Sequence, residues 1–201
     1  MKRFLFLFLT FIVVSCGKNY SDADKAYIAT VEKSRREKDE WMKNDPSSPF
    51  HYDSTIQFSP LKYFPVDPEY VFRSRLTEYP EKDTVIIFGT KGEERKVVKF
   101  GYVVWNHNGK PITINVYKGV SRQGEDYFSI WFTDKTTGKE TYNVGRYLDF
   151  EFNSDSNYVY TIDFNLAYSP YCSYSPKYSC AIPTKEDYLN VAIEAGEKSF
   201  H

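Results

Sequence analysis

Val97-Val-Lys-Phe-Gly-Tyr-Val-Val-Trp-Asn106, then His107-Asn-Gly-Lys110, then Pro111-Ile-Thr-Ile-Asn-Val-Tyr117 is the stretch that decides the fold class. The even positions Val98, Phe100, Tyr102 and Val104 predict one face of a strand, and Ile112, Ile114 and Val116 alternate with Thr113, Asn115 and Tyr117 in a second. Asn108-Gly109 stands between them. In a two-residue type I′ turn both central positions need positive φ, so Asn-Gly between alternating runs predicts an antiparallel hairpin.

Further strand signals lie on either side. Tyr70–Thr77 sets Tyr70, Phe72 and Leu76 against Arg73 and Arg75, and Thr84–Phe88 is a short apolar run ended by Gly89. Tyr127–Phe132, Arg146–Phe152 and Tyr158–Phe164 extend the series. Near the end, Thr184 and Asp187 fit the cap of one helical turn, while the alternation of Leu189, Val191 and Ile193 reads as a final strand. Many short strands without long helices between them predict an antiparallel sheet curled as a barrel or sandwich. Aromatic residues make up 18% of the chain, which suits strands and can fill such a core.

Ahead of the sheet, Ser21 and Asp24 match a capping box, and Ala23–Lys43 contains neither Gly nor Pro. One helix is expected there, with Tyr27, Val31, Ser34, Lys38 and Met42 near one face and Lys33–Glu37 and Asp39–Lys43 paired on the solvent side. The stripe is thin, so the helix is expected to lie across the body. Pro49–Pro68, rich in Pro and aromatics, reads as an ordered irregular strap. The chain is thus mainly β with one N-terminal helix, a single domain over residues 23–198.

The first residues carry a different message. Met1-Lys-Arg3 is a basic start, and Phe4–Val14 is an apolar run too short to span a bilayer, as in a signal peptide. Val13-Val-Ser-Cys16 resembles the bacterial lipobox, where cleavage precedes a cysteine that takes diacylglycerol. The expectation is a lipoprotein signal peptide over 1–15, lipidation at Cys16 and a tether over 16–22. Removing the first 15 of 201 residues would leave 186 and move the formal charge from −1 to −3. The body would then sit outside the cytoplasm in the cell envelope, touching the membrane only through lipid. Nearly balanced charge and the lack of a nucleic-acid motif argue against a nucleic-acid partner.

With Cys16 assigned to lipid, Cys172 and Cys180 remain, and in an oxidising compartment they are expected to be bridged. The rival readings are a metal site or a reactive thiol. His51, His107 and His201 stand at no ligand spacing from the cysteines or from one another, so neither a metal nor a cofactor is expected.

Several motifs together resemble a known family. Phe132-Thr-Asp-Lys-Thr-Thr-Gly-Lys-Glu-Thr-Tyr142, Gly145-Arg-Tyr-Leu148, Asp163-Phe-Asn-Leu-Ala-Tyr168, Cys172, Cys180 and Ala195-Gly-Glu-Lys198 look like the signature of the domain of unknown function family 1684. Leu61-Lys-Tyr-Phe-Pro65 and the helix bearing Arg35, Lys38 and Asp39 are similar to its N-terminal half. The resemblance spans roughly residues 23 to 198, with one departure: Ser169-Pro170 stands where the family commonly has Asn-Pro. It implies a bacterial protein, often a lipoprotein, and brings no established activity.

Two readings of these residues compete. As a polar-ligand site, Arg146 grips a carboxylate or sulfate, with Asp134, Thr137, Tyr147, Asp163, Asn165 and Tyr168 around it. As structure, Asp134 and Thr137 bond their own turn, Gly138 supplies positive φ, and Arg146 pairs with a neighbouring Asp. Likewise Asp163, Asn165, Tyr168 and Tyr171 either line a tyrosine-walled pocket suited to sugars or peptides, or anchor an irregular loop. Asp134 with Asp163 is the pair to test for acid and base work. There is no Gly-x-Ser-x-Gly, His-Glu-x-x-His or Walker signature, and catalytic residues are not identified. The reading is a membrane-anchored, non-catalytic binding or accessory module of the envelope, taking a polar ligand, glycan or envelope protein. The alternative is a carboxylate-based hydrolase, metal-assisted or not.

Overall fold

The computed structural model describes residues 18–121 and 123–201. The signal segment 1–15 and Cys16 lie outside the described residues. No helix among those described is long and apolar enough to cross a membrane.

Helix α1 runs over Asp22–Asn44 and starts where the capping box places it: the Ser21 hydroxyl accepts from the Asp24 N–H, and the Asp24 carboxylate accepts from the Ser21 N–H. Only Val31 and Met42 are buried, so the helix lies on the body. Ser34 stays exposed, and Arg35 turns inward instead, to the carbonyls of Phe64 at 2.8 Å and Asn165 at 3.1 Å. Lys33 and Glu37 pair at 3.6 Å, whereas Asp39 accepts the Leu61 N–H rather than meeting Lys43. A short helix α2, Pro49–Tyr52, opens the strap, and Phe50 and Leu61 pack with Met42, Tyr174 and Phe200 beneath the end of α1.

The remainder is one curled eight-stranded sheet, mainly β as read. The strands are β1 (Val71–Glu78), β2 (Thr84–Phe88), β3 (Glu94–His107), β4 (Lys110–Val120), β5 (Asp126–Asp134), β6 (Arg146–Asp149), β7 (Val159–Asp163) and β8 (Tyr188–Leu189). They pair in the order β6-β5-β4-β3-β1-β7, with β2 added to β3 and β8 to β5; only the β5–β8 pairing is parallel. Val103, Trp105, Ile114, Val116, Ile130, Phe132, Leu148 and Phe164 fill the inner face. A smaller group, Ile87, Val97, Tyr117, Trp131 and Ala181, covers part of the outer face.

Asn108 at φ 51° and Gly109 at φ 78° form the expected turn of the β3–β4 hairpin. The predicted face of β3 holds only as far as Phe100. Between Lys99 and Gly101 the register shifts by a β-bulge, and beyond it Val103 and Trp105 point inward while Val104 is exposed. The bulge needs glycine: a Cβ on Gly101 would stand 2.5 Å from the Thr77 carbonyl oxygen of the neighbouring strand. The Thr184–Asp187 capping box forms, and the strand after it is two residues long.

Candidate functional site

The residues singled out for ligand binding separate into three places. Arg146 starts β6 on the inward side and is 0% exposed. Its guanidinium donates to the carbonyls of Ile193, at 2.8 Å, and Ala195, and to the Asp134 carboxylate at 3.3 Å, and it lies over the Phe132 ring. Burial pulls its pKa down and the Asp134 carboxylate opposes that shift. Asp134, 3% exposed, is bonded by the Ile193 N–H at 2.7 Å and by the hydroxyls of Thr136 and Thr137. Thr137 also accepts the Asp134 N–H, and Gly138 has φ 75°, which is the turn chemistry of the structural reading. A fork with no exposed surface cannot grip a ligand, so Arg146, Asp134 and Thr137 are a clamp holding the chain's last segment to β5. This arrangement fits the structural one of the two readings of Arg146.

Asp163 and Asn165 form a second network. Asn165 is 2% exposed and uses its whole amide: its oxygen accepts the Asp67 N–H, and its nitrogen donates to the Tyr27 hydroxyl and the Asp67 carbonyl. Tyr27 in turn donates to Asp163 at 2.6 Å, and burial followed by that carboxylate pushes its phenol well up. These bonds lock α1 and the strap to the end of β7. Asp134 and Asp163 share no bonding partner, and neither lines one of the recesses among the described residues.

Tyr147 and Tyr168 do reach a recess. They exchange backbone hydrogen bonds at 2.9 and 3.0 Å, closing the free edge of β6 against the loop after β7. The space beside them is an open groove of about 1090 Å³. Its floor is the outer face of β5 and β6, where Ser129 lies opposite Asp149 and Trp131 opposite Tyr147. Its walls come from Lys38, Trp41 and Met42 on α1 and from Tyr168, Tyr171 and Tyr178 of the following loop. Phe128 and Phe152 stack at 4.7 Å at one end. The Tyr168 hydroxyl donates to Asp149 at 2.7 Å, and burial first, then that carboxylate, raises its phenol so that it stays a donor. Asp149, Glu151, Phe128, Trp131 and Phe152 were not singled out in the sequence. The alternation of Tyr147, Asp149 and Glu151 past buried Arg146, Leu148 and Phe150 is the signal that could have found part of them.

Cys180 borders this groove, and the expected Cys172–Cys180 bridge is not formed. Cys172 and Cys180 are free, with the Cys172 N–H donating to the Cys180 sulfur at 3.2 Å. The pair is held as hydrogen-bonding neighbours: contact with Cys180 lowers the Cys172 thiol to about 7, with burial opposing. Among the described residues no group of three or more His, Cys, Asp and Glu side chains converges as a cation site.

A family model described as protein of unknown function, DUF1684, matches residues 56–198, so α1 precedes the matched span. Among solved structures, the chain is similar to the uncharacterized protein from gene locus rrnAC0354 of Haloarcula marismortui, determined by solution NMR. The two share 26% identity and a TM-score of 0.62, over 88% of this chain and 96% of that one. No curated protein matches the chain.

Proposed function

Because the chain belongs to the DUF1684 family, and that membership assigns no activity, we propose a function from the groove and the leader: an exported lipoprotein, anchored through Cys16, whose body binds a glycan without transforming it. The groove carries the reading. About 1090 Å³ is at the large end of small-ligand recesses, and the exposed rings of Tyr171 and Phe152 stand beside the half-buried Tyr147, with Trp131 buried beneath them. Such surfaces take the apolar faces of sugar rings while hydroxyls find Asp149 and Glu151. Binding is favoured over hydrolysis because Asp134 and Asp163 are each held in separate structural networks.

The anchor is supported by the order of basic start, apolar run and Ser15-Cys16. Two or three acyl chains hold durably where one does not, at about 0.8 kcal/mol per buried methylene. Metabolic labelling with palmitate should mark the wild-type chain and not Cys16→Ser, which should leave the membrane fraction. For the groove, the full-length chain in detergent should bind members of an immobilised bacterial glycan panel, and Tyr171→Ala with Phe152→Ala should abolish that signal. Binding to none of the panel would remove the glycan reading.

A further inference from the structure

We infer that the groove selects an amino-sugar oligomer, a glycan whose ring nitrogens are free ammonium groups; this rests on the glycan reading above. The charge of the groove carries the inference. Asp149 leaves β6 on its outer side, exposed, with one oxygen taken by the Tyr168 hydroxyl and the other bonded to no described residue. Glu151, two positions on, is exposed and makes no bond to a described residue. The two cations lining the groove already have carboxylate partners outside it, although the Lys38 ammonium also lies over the Tyr168 ring at 5.3 Å. Lys38 is paired with Glu197 at 2.9 Å, and Arg95 with Glu93 at 2.7 Å and the Ser179 carbonyl at 2.8 Å.

The groove therefore keeps negative charge that the described residues leave uncompensated, beside aromatic rings. Tyr171 lies near enough to Asp149 to feel it: burial, then that carboxylate, raises its phenol. An ammonium group is drawn both to a carboxylate and to the face of an aromatic ring, so carboxylate and tyrosines act on the same substituent. An acetylated nitrogen offers neither charge nor the cation–ring attraction. Anionic glycans are opposed by Asp149 and Glu151 at close range.

The test titrates the full-length chain in detergent with three probes: a glucosamine trimer, the N-acetylglucosamine trimer and trilysine, followed by tryptophan fluorescence and calorimetry. The glucosamine trimer should bind about tenfold more tightly than its acetylated form, and affinity should fall with added salt. Asp149→Asn keeps an oxygen for the Tyr168 hydroxyl, so its thermal midpoint should match wild type while the tenfold preference disappears. Equal or tighter binding of the acetylated trimer overturns the inference and leaves the glycan reading standing. No binding of either sugar also overturns the inference, and the glycan reading falls with it only if the bacterial glycan panel is silent too. Binding of trilysine alone also overturns it, since the groove would then read charge on a peptide.

Discussion

Arg146→Ala separates a clamp from a ligand fork. The guanidinium is fully buried and supplies donors to the Ile193 and Ala195 carbonyls and to Asp134. Its removal strands a carboxylate and two carbonyls in the core. Breaking one partner of a buried ion pair costs about 3–5 kcal/mol. Asp134 keeps the Ile193 N–H and two threonine hydroxyls, which places the cost toward the lower end of that range. For a domain of this size 1 kcal/mol corresponds to about 2–4 °C, so a cost of about 3 kcal/mol should lower the midpoint by roughly 6–12 °C. Differential scanning calorimetry gives the midpoint, and urea denaturation gives the free energy independently. Arg146→Lys, which retains charge but cannot reach three acceptors in a planar fork, should fall in between. A midpoint within about 2 °C of wild type, together with lost glycan binding, would refute the clamp and restore the ligand role.

Three further outcomes follow from local geometry. Iodoacetamide should alkylate Cys172 with a half-maximal rate near pH 7, set by the contact with Cys180, and a midpoint at the ordinary thiol value of about 8.5 would contradict the contact. Glu93 is held down to about 2 by the Ser179 hydroxyl and then by Arg95. Its folded pKa lies below the unfolded one, so its stabilisation is present above the unfolded value of about 4.3 and lost as pH falls toward 2. Glu93→Gln should flatten midpoint against pH in that window, and an unchanged slope would count against the bond. Gly109→Val puts a β-branched residue at φ 78° and should cost about 1–2 kcal/mol in urea unfolding; no change would mean that the turn is not type I′.

The parts of the fold that were legible are those where one local interaction has few alternatives. Asn108-Gly109 demands a turn because of φ, and Ser21 with Asp24 demands a helix start because two N–H groups need acceptors. The inner face of β3 was not legible beyond Phe100, since Tyr102 and Val104 are as apolar as Val103 and Trp105. Alternation cannot choose between two apolar faces, and only the neighbouring Thr77 backbone reveals why Gly101 carries a bulge. Cys172 and Cys180 are close, as their spacing suggested, but proximity alone does not fix the covalent state.

The candidate site shows the same division at the level of chemistry. Asp134, Arg146, Asp163 and Asn165 drew attention because charged and amide groups in strong motifs resemble ligand-binding sets. A core closed by irregular chain needs the same groups: the segment after β8 presents the carbonyls of Ile193 and Ala195 to the interior, where only a buried multidentate donor satisfies both. Chemistry-rich motifs therefore mark where the backbone lacked partners. The groove, in contrast, is assembled from α1, β5, β6 and the 166–181 loop, and no spacing within any one segment reports it. Its carboxylates with bonding capacity to spare, Asp149 and Glu151, sit in no turn and cap no helix, and Asp149 accepts only the Tyr168 hydroxyl. That spare capacity, set against the fully engaged Arg146 and Asp134 inside, is why binding is proposed for the outer face of the sheet and stability for the inner.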